Sequence, residues 1–214
     1  MTGKEKHFDD RELVLENFRK MQVAADYLLS LINDILQMSK IEDGNVSLTQ
    51  EIINFDELSQ DVLTIIEQRA KDRGIQMQFR AKKEGLRYPF IYGSPVHLRQ
   101  IFLNIYGNCI KYNRIGGKII TVSDYTEAVD GITTYEWTIT DTGIGMSREY
   151  QEHIFEPFSQ EREDARSTQQ GIGLGMAIVK GLIEKMGGTI EVKSEEGIGS
   201  TFILRIPFKL APAP

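Results

Sequence analysis

The chain has 214 residues, 41% of them hydrophobic, with 25 Lys and Arg against 31 Asp and Glu, a net charge of −6. That balance argues against a nucleic-acid binder, which needs a basic face. The single Cys excludes a disulfide framework and a Cys-based zinc site, and it points to a reducing compartment. No run approaches the roughly 20 apolar residues of a membrane span, and no signal peptide is visible, so a cytoplasmic chain is expected.

Residues 1–10 are polar and expected to fray. Residues 11–41 read as one long helix, because Val14, Phe18, Met21, Ala25, Leu28, Ile32 and Ile35 recur at alternating fours and threes. Leu15, Leu29 and Leu36 widen the stripe. Glu42-Asp43-Gly44-Asn45 is a stop, with Gly for the left-handed cap. Such a stripe cannot be buried by one helix, so the segment is expected to pair with a second copy or with a helix supplied separately. A domain boundary is placed near Asn45, which divides the chain into 1–44, 45–210 and a short tail at 211–214.

Beyond the boundary, 46–54 reads as a strand and Asp56 as the cap of a helix running to about Arg73, with Gly74 as its stop. Residues 75–79 and 90–92 are short strands. Ser94 is read as an N-cap and Pro95 as the first turn of a helix that includes 98–113. In that stretch Leu98, Phe102, Ile105, Cys109 and Tyr112 share one side, while Leu103, Tyr106 and Ile110 cover much of the other. Between them Gln100, Asn104, Asn108 and Lys111 fall within roughly 80° of arc. A buried helix with three such amides and an ammonium on one line must satisfy them. The line either meets protein partners or lines a pocket for something anionic and hydrated.

Residues 118–125 and 133–140 read as a hairpin, the second strand alternating Tyr135, Trp137 and Ile139 with polar neighbours. A helix is expected at 147–154. Residues 159–170 are polar without apolar periodicity, the pattern of a mobile lid. Residues 173–186 form a helix, and 189–193 with 200–208 form the last hairpin. The fold class expected is α+β: a two-layer α/β sandwich with a mixed, mostly antiparallel sheet, preceded by one long bundle helix.

Four further stretches carry possible chemistry. Asp141-Thr142-Gly143-Ile144-Gly145 comes directly after a strand, where it either shapes a turn or lets Asp141 accept a base amino group while glycines admit a planar ligand. Phe155-Glu156-Pro157-Phe158 is ordinary packing or an aromatic clip. Gly171-Ile172-Gly173-Leu174-Gly175 opens a helix whose backbone N–H groups can face phosphate. It is no dinucleotide fingerprint, since Met176 stands where the third Gly is needed; a Walker loop is also absent, because Ile119 comes after Gly117-Lys118. Gly197-Ile198-Gly199-Ser200-Thr201 is a hairpin turn or part of the same site.

The order of these boxes resembles that of sensor histidine kinases, over about residues 46–208. The segment ending LLSLINDILQMSKIEDG looks like the second helix of that family's dimerisation hairpin. The resemblance implies the Bergerat ATP-binding fold, with ATP and Mg²⁺ as cofactors. It assigns Asn104, Asn108, Lys111 and Tyr112 to the N box, with Asn108 and Asn104 holding Mg²⁺ and Lys111 contacting phosphate. It gives Asp141 the adenine amino group, with Gly143, Ile144 and Gly145 shaping the base pocket. Phe155 and Phe158 would anchor the lid, and Arg166 would be a lid cation. Gly171, Gly173, Leu174 and Gly175 would present the phosphate loop, and Thr201 would support the adenine end. Implied partners are ATP or ADP, a parent homodimer formed through the long helix, and a response regulator receiver domain; the parent is cytoplasmic or membrane-anchored.

Three departures stand out. Ile172 and Met176 replace the family's usual Thr and Leu, and Cys109 replaces its usual Ala. More important, His7 does not precede an acidic residue and Arg-Thr-Pro, so no phosphoacceptor box is present. The chain reads as a fragment that binds ATP and supplies a phosphoryl group to a His outside it. An ATP-hydrolysing relative of the fold would carry Glu rather than Asn104, since an amide cannot activate water. A docking module with an empty pocket would not need Asn108, Asp141 and all three glycine boxes together.

Overall fold

The structure, a computed structural model, describes residues 11–83, 87–161 and 173–213. Helix α1 (Arg11–Glu42) runs unbroken for 32 residues, as a sequence without Gly or Pro allows. It stops at Gly44, whose φ of 68° makes the left-handed cap, and the Asn45 N–H bonds back to the Lys40 carbonyl at 2.8 Å. Most of the expected seam is open: Phe18, Leu28 and Ile32 are 61%, 58% and 53% exposed.

The sheet has five strands in the order β2 (Gln76–Ala81), β4 (Lys118–Tyr125), β5 (Ile132–Asp141), β7 (Gly199–Lys209), β6 (Thr189–Glu195). Strands β2 and β4 pair in parallel; the other three pairings are antiparallel. A separate antiparallel ribbon joins β1 (Glu51–Asn54) to β3 (Phe90–Gly93). Alternation sets the buried face: Thr133, Tyr135, Trp137, Ile139 and Asp141 on β5, and Ser200, Phe202, Leu204, Ile206 and Phe208 on β7.

Helices α2 (Phe55–Asp72), α3 (Pro95–Lys111) and α5 (Gly175–Lys185) supply the other layer of one core, and the short α4 (Arg148–His153) lies beside β6. Aromatic rings join the layers: Phe55 stacks on Tyr135 with centroids 5.2 Å apart, and Phe102 meets Trp137 edge-on at 5.1 Å.

Three local expectations are corrected. Asn54, not Asp56, caps α2, its side chain accepting the Asp56 N–H at 3.1 Å. The helix starts two residues earlier because Phe55, 6% exposed, has to reach the rings of β5. Strand β1 begins at Glu51 rather than 46, because only four residues find partners in β3. Ser94 sits at the α3 cap position, but its hydroxyl does not cap; it accepts from Thr49 at 3.0 Å and lies 2.7 Å from His97 Nδ1.

The C-terminal turns of α1 are not free of the sandwich. Met38 and Ile41 pack against its core. Ile41 comes so close to α5 that a Cβ at Gly181 would lie 2.5 Å from its Cγ2. Gln37 donates to Gln100 at 2.7 Å and Gln100 donates back, while Lys185 reaches the Gly44 carbonyl at 3.0 Å. The seam thus divides into a docked C-terminal end and an exposed remainder.

Candidate nucleotide site

The polar line of α3 is present, but its four residues do different things. Gln100 is spent on Gln37 of α1 and takes no part in a pocket. One turn on, half-buried Asn104 faces the start of α5, its Nδ2 donating to the Gly175 carbonyl at 3.5 Å. Asn108 is half-buried, and Lys111 holds its ammonium 4.8 Å from the Tyr112 ring centre. Tyr112 closes α3, its N–H bonded to the Asn108 carbonyl at 3.0 Å, and its side chain is 46% exposed.

Across from this line β5 ends in Asp141, a carboxylate only 6% exposed. Its Oδ1 accepts the Gly143 N–H at 2.8 Å and the Ser200 N–H at 3.3 Å. The Cys109 thiol on α3 lies beside it and helps hold its carboxyl down. Burial pushes the Asp141 carboxyl above the usual carboxylate range, and these donors pull it partly back. Burial and the neighbouring carboxylate push the Cys109 thiol well up, so it keeps its proton.

The loops around Asp141 are tight for a backbone reason. A Cβ at Gly143 would sit 2.4 Å from the Tyr112 carbonyl oxygen. One at Gly145, already at φ 69°, would sit 1.9 Å from the Glu195 carbonyl oxygen. The chain is then tied loop to loop: Ile144 N–H to the Tyr112 carbonyl at 3.0 Å, and Gly197 N–H to the Ile144 carbonyl at 2.7 Å. Ile144 itself is 44% exposed at this rim. Thr201 pairs in register with Thr140, their hydroxyls 3.0 Å apart, beside Ser200.

The clip before the lid region splits in two. Phe155 is half-buried against the core, with the Lys180 ammonium 5.8 Å from its ring centre. Phe158 is 62% exposed at φ 64°, and its N–H bonds to the Gly173 carbonyl at 3.1 Å. Leu174 is buried, and Gly175 starts α5. The expected lid cation Arg166, Gly171, and all of the expected lid after Glu161 lie outside the described residues.

The structure thus gathers Asn104, Asn108, Lys111, Tyr112, Asp141, Gly143, Ile144, Gly145, Gly173, Gly175 and Thr201 around one end of the sheet. Sequence reasoning missed two contributors: Ser200, whose N–H donates to Asp141, and Cys109, whose buried thiol lies beside that carboxylate. The signal for Cys109 was its place one residue after Asn108, facing inward. Among the described residues no three His, Cys, Asp or Glu side chains cluster to hold a metal. Asn104 and Asn108 offer neutral amide oxygens, which suit Mg²⁺ but are too few to hold it without phosphate oxygens and water. The donor set fits a Mg²⁺ that arrives with a nucleotide.

Comparison with known proteins agrees with this geometry. Residues 93–210 match the family described as histidine kinase-, DNA gyrase B-, and HSP90-like ATPase. The chain is 36% identical over 183 residues to the sensor protein GacS of Pseudomonas syringae pv. syringae, covering 85% of this chain and 20% of that protein. It is 29% identical over 195 residues to the sensory/regulatory protein RpfC of Xanthomonas campestris pv. campestris, covering 91% of this chain and 27% of that protein. The chain therefore spans about a quarter of the length of these relatives. The crystal structure of full-length ShkA in complex with AMPPNP superposes with a TM-score of 0.76 at 30% identity, over 93% of this chain and 40% of that one. No helix among the described residues is long and apolar enough to cross a membrane. The chain belongs to the histidine kinase-, DNA gyrase B- and HSP90-like ATPase family, and it carries that family's ATP-binding kinase domain in the form found in sensor histidine kinases.

Proposed function

We propose that the chain binds ATP with Mg²⁺ and presents the γ-phosphoryl group to a histidine outside these residues, as the donor half of a protein-histidine kinase. The observation that carries this reading is the buried Asp141 carboxylate, held by two backbone N–H groups opposite the amide line of α3. A carboxylate kept dry at some cost is explained by a ligand that donates to it, and an adenine amino group does so. The AMPPNP in the ShkA complex supports ATP as that ligand.

In this reading Asp141 takes the adenine amino group, with Gly143, Ile144, Gly145 and Thr201 around the base. Tyr112 lies at the rim. Asn108 and Asn104 hold Mg²⁺, which neutralises phosphate charge when bound. Lys111 contacts phosphate as a point charge. Gly173, Leu174 and Gly175 face the phosphates, and Phe158 anchors the lid. An imidazole nitrogen attacks the γ-phosphorus in line, the bond to the β-phosphate oxygen breaks, ADP leaves, and the imidazole N–H proton is lost to solvent. The protein's contribution is positioning and charge neutralisation.

Residues 1–44 act as one helix of a dimerisation hairpin and 45–210 as the ATP-binding unit, with a tail at 211–214. The exposed α1 seam supports a parent homodimer, and a response regulator receiver domain is the expected final acceptor. Asn104 in place of a Glu favours transfer over hydrolysis, since no base stands at that position to activate water. The test supplies the missing part: the chain is mixed with ATP labelled at the γ-phosphate and a separately made hairpin carrying the acceptor His. Acid-labile, base-stable label on the hairpin supports the proposal. ATP hydrolysis with no such label overturns it.

A further inference from the structure

Arg114 stands two residues beyond Tyr112, in the loop between α3 and β4, outside every box of the nucleotide site. Its side chain crosses to the turn between β6 and β7, where Nη2 donates to the Gly197 carbonyl. The two residues are 83 apart in sequence. The backbone under Arg114 is itself fixed. Its N–H donates to Asn113 Oδ1 at 2.9 Å, and its carbonyl accepts the Gly117 N–H at 2.9 Å.

The other face of the same turn is tied to the base-pocket loop. The Gly197 N–H donates to the Ile144 carbonyl at 2.7 Å, and the Ile144 N–H donates to the Tyr112 carbonyl at 3.0 Å. Gly197 is therefore gripped at both its carbonyl and its N–H. These links close a ring through Tyr112, Ile144, Gly197 and Arg114, so three loops are bonded to one another.

The ring matters for Asp141 because the Gly197 turn leads straight into two residues that touch it. Gly199 passes so near that a Cβ there would lie 2.1 Å from the Asp141 carbonyl oxygen. Ser200 then donates its N–H to the Asp141 carboxylate at 3.3 Å. A shift of the Gly197 turn moves that donor and loosens the carboxylate.

We propose that Arg114 is a positioning residue for the base pocket, pinning the Gly197 turn so that Ser200 holds Asp141 ready for adenine. The proposal rests on the nucleotide reading of the site. It does not place Arg114 against the ligand. A neutral side chain at 114 leaves the fold intact, because Arg114 is exposed and its backbone contacts do not need the guanidinium.

The test measures Mg·ADP binding by calorimetry and amide exchange without nucleotide, for wild type, Arg114→Ala and Arg114→Lys. Arg114→Ala is expected to weaken ADP about 3- to 10-fold, the loss of one charge-assisted hydrogen bond. It should also speed exchange at Gly197 and Ser200 while leaving the β5 amides unchanged. Arg114→Lys, which keeps the charge and one donor, should recover most of both. Arg114→Ala with wild-type affinity, or with unchanged exchange at Gly197, overturns the positioning role alone. Failure of the wild type to bind Mg·ADP overturns the nucleotide reading and this role with it.

Discussion

Asp141 and Gly143 depend on each other: the carboxylate takes the Gly143 N–H at 2.8 Å, and a Cβ at Gly143 would lie 2.7 Å from that same oxygen. The hydrogen bond exists only because position 143 has no side chain. Gly143→Ala should push either the Asp141 carboxylate or the Tyr112 carbonyl out of place. We expect a loss of about 1–3 kcal/mol in folding stability, and a loss of ADP binding larger than the stability loss alone explains. Chemical denaturation and calorimetry on the same sample check both. A variant that binds normally would show that the close approach has no bearing on the ligand.

The buried Asp141 also predicts a pH effect. Burial raises its folded-state pKa above the unfolded value. Folding therefore favours the proton-bound form, so this group's contribution is full below the unfolded pKa and is lost as pH rises through the folded one. At neutral pH the ionised carboxylate weakens the ligand-free domain. Asp141→Asn should melt no lower than wild type at pH 7, and its relative advantage should shrink as pH falls toward 4. Melting curves over that range test it; an Asn variant clearly less stable at pH 7 would contradict the desolvation argument.

The contact between Ile41 and Gly181 fixes the end of α1 on α5. Gly181→Ala puts a methyl into space that Ile41 fills, at an expected cost of about 1–3 kcal/mol. The local consequence is more telling. Amides near Ile41 should exchange faster, and the Gln37–Gln100 pair should be lost, while the nucleotide site is kept. Exchange that stays slow around Ile41 would show that the helix is docked by something else.

The open part of α1 predicts self-association. Several large side chains left wet forfeit about 1.5–3 kcal/mol each, and a patch of that kind usually marks an interface. Sedimentation over a wide concentration range should show dimers for wild type and monomers for a Leu28→Asp, Ile32→Asp double variant. A wild-type monomer at every concentration rejects self-pairing through α1.

Periodicity made most of the fold legible, and the physical reasons for the misses are local. The strand ending at Asp141 was readable because Tyr135, Trp137 and Ile139 alternate with polar neighbours along it. The start of β1 was not, because pairing with β3 ends where β3 ends, and a partner's length is invisible in the strand's own residues. The cap of α2 was misread because Asn54 and Asp56 are both good caps, and burial of Phe55 decides between them. In the site, Asn104, Asn108 and Asp141 were legible by type and spacing. Gln100 shared their helical phase yet turned to Gln37, since a stripe records direction and not which neighbour meets it. Arg114 had no sequence signal at all, because its partner is a backbone carbonyl of Gly197 far along the chain.

Whether Asp141 and the α3 amides form an adenine-nucleotide site is decided by calorimetry of Mg·ADP against wild type, Asp141→Asn and Asn108→Ala. Saturable binding to wild type is expected, weakening when Mg²⁺ is chelated. Asp141→Asn should lose about 1–3 kcal/mol, the cost of a hydrogen bond to a charged group, and Asn108→Ala should lose the Mg²⁺ dependence. Wild type that takes up no adenine nucleotide, or an Asp141→Asn variant that binds as tightly as wild type, would contradict that assignment.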